Sequence, residues 1–193
     1  MIAQKLQEIS TNNIQLTSIL FLHKITDNRF TGSNKRLQRV FEKVCGNEAF
    51  RSVVLATTMW DELREESVGA RREKDLIEGD FWGKMVHGGT DCVRLYNSQK
   101  SANWLAELLA AKTPTTLQMQ TELQKEQGLV VRTSAGRELD RIYTERIQPR
   151  EEKERSKKLH REERDELERL RASQYRLRYT VVSNPSTSKH FRV

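Results

Sequence analysis

The chain has 193 residues, enough for one ordinary domain with an appendage, and its hydrophobic share of 36% lies below the roughly 45–50% usual in globular domains while charged residues reach 32%. The net charge of +7 arises from basic residues interleaved with acids rather than from one long run, which argues against a nucleic-acid partner. Cys45 and Cys92 are far apart in apolar contexts, excluding a disulfide framework or zinc spacing and reading as reduced, buried thiols of a cytoplasmic protein. The start, Met1-Ile2-Ala3-Gln4-Lys5-Leu6, lacks the apolar core of a signal peptide, and no run approaches the roughly 18 apolar residues of a membrane span.

Taken in chain order, Thr17-Ser18-Ile19-Leu20-Phe21-Leu22 predicts a strand buried on both faces, stopping at His23-Lys24-Ile25-Thr26-Asp27. Gly32 and Ser33 predict a turn and N-cap before a helix carrying Leu37, Val40, Phe41 and Val44. A second strand runs from Ser52 to Thr57, followed by a polar helical region with Glu62, Leu63 and Glu66 and by Lys74 to Ile77. Phe81, Trp82, Met85 and Val86 form an apolar patch between Gly79 and the Gly88-Gly89 turn. Cys92-Val93-Arg94-Leu95-Tyr96 predicts a third strand, ending at Asn97-Ser98, where Ser98 can cap a helix bearing Trp104, Leu105, Leu108 and Leu109. Strands alternating with helices in this way predict a parallel sheet, the α/β class.

Beyond Pro114 the apolar content thins. Leu117, Leu123 and the stretch from Leu129 to Val131 predict packing helices over 114–145. From Arg146 to Arg171 nearly every residue is charged, with Glu151/Arg155, Glu154/Lys158 and Asp165/Arg169 four apart in the acid-first order worth about 0.2–0.5 kcal/mol per pair. This predicts one long solvated helix over 146–180, since Leu159, Leu167 and Leu170 are too sparse for a sustained coiled-coil seam. The tail over 181–193, with Pro185 among serines and threonines, predicts disorder.

The candidate chemistry sits at strand ends, where ligands collect in open parallel sheets. Thr58-Met59-Trp60-Asp61 follows the second strand, and Asn97-Ser98 the third. Asp61 alternatively caps a helix starting near Glu62, and Asn97 and Ser98 serve equally as turn and cap residues. Trp60 either shelters a ligand or joins the core, and Trp104 reads as core. His23, Asp27 and Arg29 form a third strand-end group, in which Asp27 and Arg29 read as a local ion pair. Four histidines at 23, 87, 160 and 190 sit in unrelated contexts, so no hydrolytic triad is indicated.

Three segments together, Leu20-Phe21-Leu22-His23-Lys24-Ile25-Thr26-Asp27-Asn28-Arg29, Thr57-Thr58-Met59-Trp60-Asp61 and Thr133-Ser134-Ala135-Gly136-Arg137-Glu138-Leu139, resemble the second half of a P-loop GTPase domain over roughly positions 15 to 172. More narrowly, the chain is similar to immunity-associated and septin-like GTPases and to their fungal G-domain relatives. The resemblance implies a partial three-layer P-loop NTPase-like parallel sheet over 1–113 followed by the long charged C-terminal helix, with guanine nucleotide as ligand. It assigns base recognition to Thr58, Asp61, Asn97 and Ser98, the Asp61 carboxylate accepting from guanine N1 and the exocyclic amine. Met59 stands where the family keeps a lysine.

No G-x-x-x-x-G-K-[ST] phosphate loop is matched; the nearest approach, Gly79-Asp80-Phe81-Trp82-Gly83-Lys84-Met85, is one residue short and lacks the hydroxyl, and the Asp80-Phe81-Trp82-Gly83 within it spells D-x-x-G downstream of the first two strands, not upstream where the family carries its magnesium-sensing motif. The family carries both motifs upstream of the part matched here, so the chain reads as a truncated domain with weak GTP affinity and no hydrolysis of its own, Mg²⁺ entering only with such upstream sequence. The alternative is an interaction protein, pairing with a partner or with itself through an open sheet edge or the charged helix, and a third reading is a basic nucleic-acid-binding helix.

Overall fold

A computed structural model of the protein describes residues 2–27 and 32–183. Its elements, in chain order, are α1 (Ile2–Thr11), β1 (Ile19–Lys24), α2 (Gly32–Cys45), β2 (Val53–Thr58), α3 (Glu66–Glu78), α4 (Gly83–His87), β3 (Asp91–Arg94), α5 (Gln99–Ala110), α6 (Gln118–Lys125), α7 (Ser134–Arg155) and α8 (Arg161–Tyr179), with short 3₁₀ turns between some of them. They group into two compact units, one of Ile14–Gln38 with Cys45–Gln118, the other of Met1–Asn13, Arg39–Val44 and Met119–Val193.

The first unit is mixed α/β around a three-stranded parallel sheet of order β1-β2-β3. The three predicted strands are all present, β1 displaced two residues toward the C-terminus. Ile19 pairs with Val53 and Lys24 with Thr58, while Val54 pairs with Asp91 and Thr57 with Arg94. Because β2 has a neighbour on each side and side chains covering both faces, Val53, Val54, Leu55 and Ala56 are fully buried, which is why an unbroken apolar run rather than an alternating one encodes it. Phe50, Ile25, Trp82 and Met85 complete the core, so the apolar patch over 81–86 is a packing element carried partly by the short helix α4.

Ser98 caps α5, its Oγ accepting from the Ser101 amide at 3.1 Å. On that helix one expectation fails. Trp104 is 47% exposed, while Leu105, one residue and about 100° further round, is buried. Trp104 is therefore a surface side chain. Gly32 and Ser33 lie within the first turn of α2, which starts two residues earlier than a cap at Ser33 would require.

The second unit contains α1, which the sequence reading does not anticipate; it has no capping signature, yet Ala3 and Leu6 are buried. It also corrects the single charged helix. The chain turns at Ser156–His160, where Lys157 takes a left-handed φ of 56° and the Lys158 amide bonds back to the Lys153 carbonyl at 2.9 Å. Helices α7 and α8 then pack on each other through Ile147, Leu159, Leu167 and Leu170, with Tyr143 against the cluster. The leucines too sparse for a heptad seam suffice for one hairpin.

The charges follow the hairpin rather than the helix. Glu151 and Glu154 pair with Arg171 at 2.9 and 3.1 Å, not with Arg155 and Lys158 as predicted. Arg150 reaches Glu166 at 2.7 Å, Lys153 reaches Glu163 at 2.7 Å, and Arg178 reaches Asp140 at 2.7 Å. The start of α7 is equally specific. Thr133 Oγ1 accepts from the Gly136 amide at 3.0 Å, and the Glu122 carboxylate accepts from both the amide and the hydroxyl of Ser134 at 2.6 Å. The segment 133–139 thus serves as a helix start. Of the predicted disordered tail, Val181 and Val182 are held, the Val182 amide donating to the Gly128 carbonyl at 2.9 Å; residues 184–193 lie outside the described residues.

The hairpin's ion pairs carry a pH signature. Hydrogen bonding from Arg150, and then Arg146, holds the Glu166 carboxyl below its ordinary value of 4.5, and Arg178 with Gln174 holds Asp140 below 3.8. A carboxyl depressed by folding adds stability above its ordinary value and loses it as pH falls through the folded value. The chain's melting temperature, followed by circular dichroism, is therefore expected to be flat from about pH 7 to 5 and to drop below about pH 4.5. Glu166→Gln should flatten part of that drop. An acid limb identical in the variant would mean the pairs contribute nothing.

Candidate functional site at the ends of β2 and β3

Beyond Thr58 and Arg94 the chain leaves the sheet through two neighbouring loops. The Leu95 amide donates to the Thr57 carbonyl at 2.8 Å, continuing the β2–β3 pairing by one residue and bringing the loops together. Between them lies an open cavity of about 630 Å³. Thr58, Asp61, Asn97 and Ser98 all line it, with Met59 and Tyr96. Four residues singled out from two separate stretches of sequence thus share one hollow.

Asp61 sits in a 3₁₀ turn, Trp60–Glu62, and α3 begins only at Glu66, so Asp61 is not that helix's N-cap. Its Oδ2 instead accepts from the Asn97 amide at 2.8 Å, tying the two loops together. Oδ1 has no hydrogen-bond partner among the described residues. The Thr58 hydroxyl donates to the His23 carbonyl at 3.3 Å, so it is held toward β1. Ser98 is engaged in capping α5, and the Tyr96 amide donates to Ser101 Oγ at 3.0 Å. Met59 adopts the left-handed region, φ 63° and ψ 32°, where a side chain costs of order 1–3 kcal/mol. This position turns the chain sharply out of β2 and leaves Met59 partly exposed at the cavity.

Beneath the cavity is a closed polar network that sequence reasoning did not identify. Trp60 is buried, and its Nε1 donates to Thr57 Oγ1 at 2.9 Å; that hydroxyl donates to Glu73 of α3 at 3.0 Å. Glu73 accepts from Arg94 Nε at 2.8 Å, Glu66 accepts from the same guanidinium at 3.1 Å, and the Arg94 guanidinium lies 4.1 Å from the centre of the Trp60 ring. The available signal was Arg94 itself, a charge inside a predicted apolar strand, which needs an acid on a neighbouring element. Trp60 is therefore a core and network residue.

The third strand-end group lies apart. His23 and Asp27, with Arg72, Asp75 and Phe81, line a separate cavity of about 170 Å³ at the end of β1, where Arg72 donates to the Ile25 carbonyl at 2.8 Å. Burial holds the His23 imidazole below the usual histidine range against the opposing charge of Asp27. Arg29 and its expected pairing with Asp27 lie outside the described residues. Burial pushes the Cys92 thiol up to about 11, leaving it protonated and a poor nucleophile at neutral pH, and Cys45 is a free buried thiol. Among the described residues no group of three His, Cys, Asp or Glu is placed to hold a metal ion, and no helix is long and apolar enough to cross a membrane.

No protein-family model matches this chain, and no curated protein matches it.

Proposed function

We propose that the cavity at the ends of β2 and β3 recognises a guanine base, with Asp61 as the paired acceptor for N1–H and the exocyclic amine and with Thr58, Asn97 and Ser98 around it. The observation that carries this reading is the fixed carboxylate: Asp61 is held in the mouth of an open cavity by the Asn97 amide while one of its oxygens lacks a partner among the described residues. Each carboxylate oxygen accepts more than one hydrogen bond, so the Asn97 contact orients the group without consuming it. A carboxylate offers only acceptors, and adenine has no matching pair of donors.

Phosphate binding is a different matter. The sequence has no phosphate loop, and backbone amides with a lysine supply much of a nucleotide's affinity in such sites. Recognition of the base alone, at about 1.5–3 kcal/mol per charge-assisted hydrogen bond before entropy losses, gives weak binding. The function proposed is thus guanine recognition without hydrolysis by this chain, in which Mg²⁺ has no assigned role.

Ligand-observed NMR titration of the full chain with GTP, XTP and ATP tests it. GTP is expected to bind with a dissociation constant near 1 mM, about 4 kcal/mol, and ATP not to compete. Asp61→Asn should shift preference toward XTP, whose C2 carbonyl accepts from the new amide. Asn retains an oxygen for the Asn97 amide, so the loop clamp survives the exchange. Equal binding of all three nucleotides by both proteins rejects the assignment.

A second reading, an interaction protein, draws on β1. It is an edge strand, and Leu22 on it is 55% exposed. Concentration-dependent sedimentation of the chain, together with no discrimination among nucleotides, is the result that favours it.

A further inference from the structure

The interleaving of acids and bases stops at Glu168. Residues 169–193 contain Arg169, Arg171, Arg176, Arg178, Lys189 and Arg192 and no acid, so six of the seven net positive charges lie in this stretch. Two of these arginines, Arg171 and Arg178, are spent on acids of α7. Arg169 and Arg176 are exposed and have no salt bridge among the described residues.

The same helix face carries two exposed aromatic side chains. Tyr175 is 65% and Tyr179 69% exposed, and their rings lie 4.5 Å apart at a tilt of 41°. With Arg169, Ala172 and Arg176 they follow the three-and-four spacing of a single face. Two exposed rings packed on each other beside arginines without ion pairs among the described residues form a combined aromatic and cationic patch of the kind found at contacts.

We propose that this face of α8 binds single-stranded nucleic acid, Tyr175 and Tyr179 stacking on bases and Arg169 and Arg176 contacting phosphates. Two features favour this ligand over an anionic membrane. The apolar residues of α8, Leu167, Leu170 and Leu177, are buried, so little apolar area remains to insert into lipid. The exposed face instead offers a pair of tyrosine rings packed 4.5 Å apart beside positive charge, the combination of aromatic surface and cations that holds unpaired bases without reading their sequence. The localised charge supplies the electrostatic attraction.

The test uses the full chain and a fluorescein-labelled oligouridine RNA of about twelve nucleotides, read by anisotropy between about 50 and 200 mM salt. Binding is expected, falling with salt at a logarithmic slope near −1.4 for two phosphate contacts at about −0.7 each. Tyr175→Ala with Tyr179→Ala should weaken it at least about 10-fold, and Tyr175→Phe with Tyr179→Phe should retain it, because stacking needs the ring and not the hydroxyl. Arg169→Gln with Arg176→Gln should abolish most of the salt slope. Absence of binding at the lowest salt, or affinity unchanged in the folded double-alanine variant, overturns the proposal. So does binding to phosphatidylserine–phosphatidylcholine vesicles by a chain that ignores the RNA. Should the alanine variant fail to fold, the phenylalanine and glutamine variants decide: lost affinity in the first overturns the stacking assignment, and an unchanged salt slope in the second overturns the phosphate assignment.

Discussion

Gly136→Ala is expected to destabilise the second unit by about 3 kcal/mol, against the direction that helix propensity alone would give. Gly136 lies in the first turn of α7, where alanine would ordinarily be favoured by about 1 kcal/mol. A Cβ at this position would stand 1.9 Å from the Val130 carbonyl oxygen and 2.7 Å from its carbon. Both are backbone atoms of the turn before α7, so no rotamer change relieves the overlap. The turn would have to move, and with it Thr133, whose hydroxyl donates to the Val130 carbonyl at 2.7 Å and accepts from the Gly136 amide. Urea denaturation followed by circular dichroism measures the loss. A variant as stable as the parent would mean that the turn over 130–132 shifts freely and that the close approach is not needed.

Thr57→Val is expected to cost about 2–3 kcal/mol although valine matches threonine in shape. Thr57 is fully buried at the end of β2, and its hydroxyl is the partner of both the Trp60 indole and Glu73. Valine leaves the buried Trp60 N–H without an acceptor, a penalty of about 1–3 kcal/mol, and Glu73 short of one donor. Glu73 is less affected because Arg94 still holds it at 2.7 Å. Two further variants separate the orphaned indole from lost packing. Thr57→Ser keeps the hydroxyl and should lose less than valine does. Combining Thr57→Val with Trp60→Phe removes the orphaned donor, so the double variant should be more stable than the sum of the single losses implies. Strict additivity in that cycle would show that the hydrogen bond carries no weight. Because Trp60 immediately precedes Asp61, the same network sets where the Asp61 carboxylate stands.

Much of the first unit could be read from the chain itself. Val53 to Ala56 announce a strand covered on both faces because an unbroken run of β-branched and small apolar residues has no solvated face to offer, and Ser98 announces its helix because its side chain satisfies an otherwise unpaired amide. The grouping of Thr58 and Asp61 with Asn97 and Ser98 was legible for a topological reason: parallel strands joined by helices bring their carboxyl ends to the same edge of the sheet. The contacts within that group were not legible, since the Asp61 to Asn97 hydrogen bond joins residues 36 apart and depends on the pitch of two loops.

The charged C-terminal region shows the opposite balance. Acid-first pairs four apart describe a single solvated helix well, and each such pair is worth only a few tenths of a kcal/mol. A turn at 156–160 replaces them with Arg171 bridging Glu151 and Glu154 and with Arg150 on Glu166, while burying Ile147, Leu159, Leu167 and Leu170. At roughly 1.5–3 kcal/mol for each fully buried aliphatic side chain, that burial outweighs every local pair given up. Trp104 fails for a related reason: periodicity states that Trp104, Leu105 and Leu108 share a helix, but only the direction in which α5 faces the sheet decides that Leu105 enters the core and Trp104 does not. Sequence by itself determined the three strands and the helices that follow β1 and β3, because those depend on neighbours a few residues away. The tertiary structure alone decided the hairpin, the Thr57–Glu73–Arg94 network and the setting of Asp61, because each depends on free energies between residues that sequence distance does not reveal.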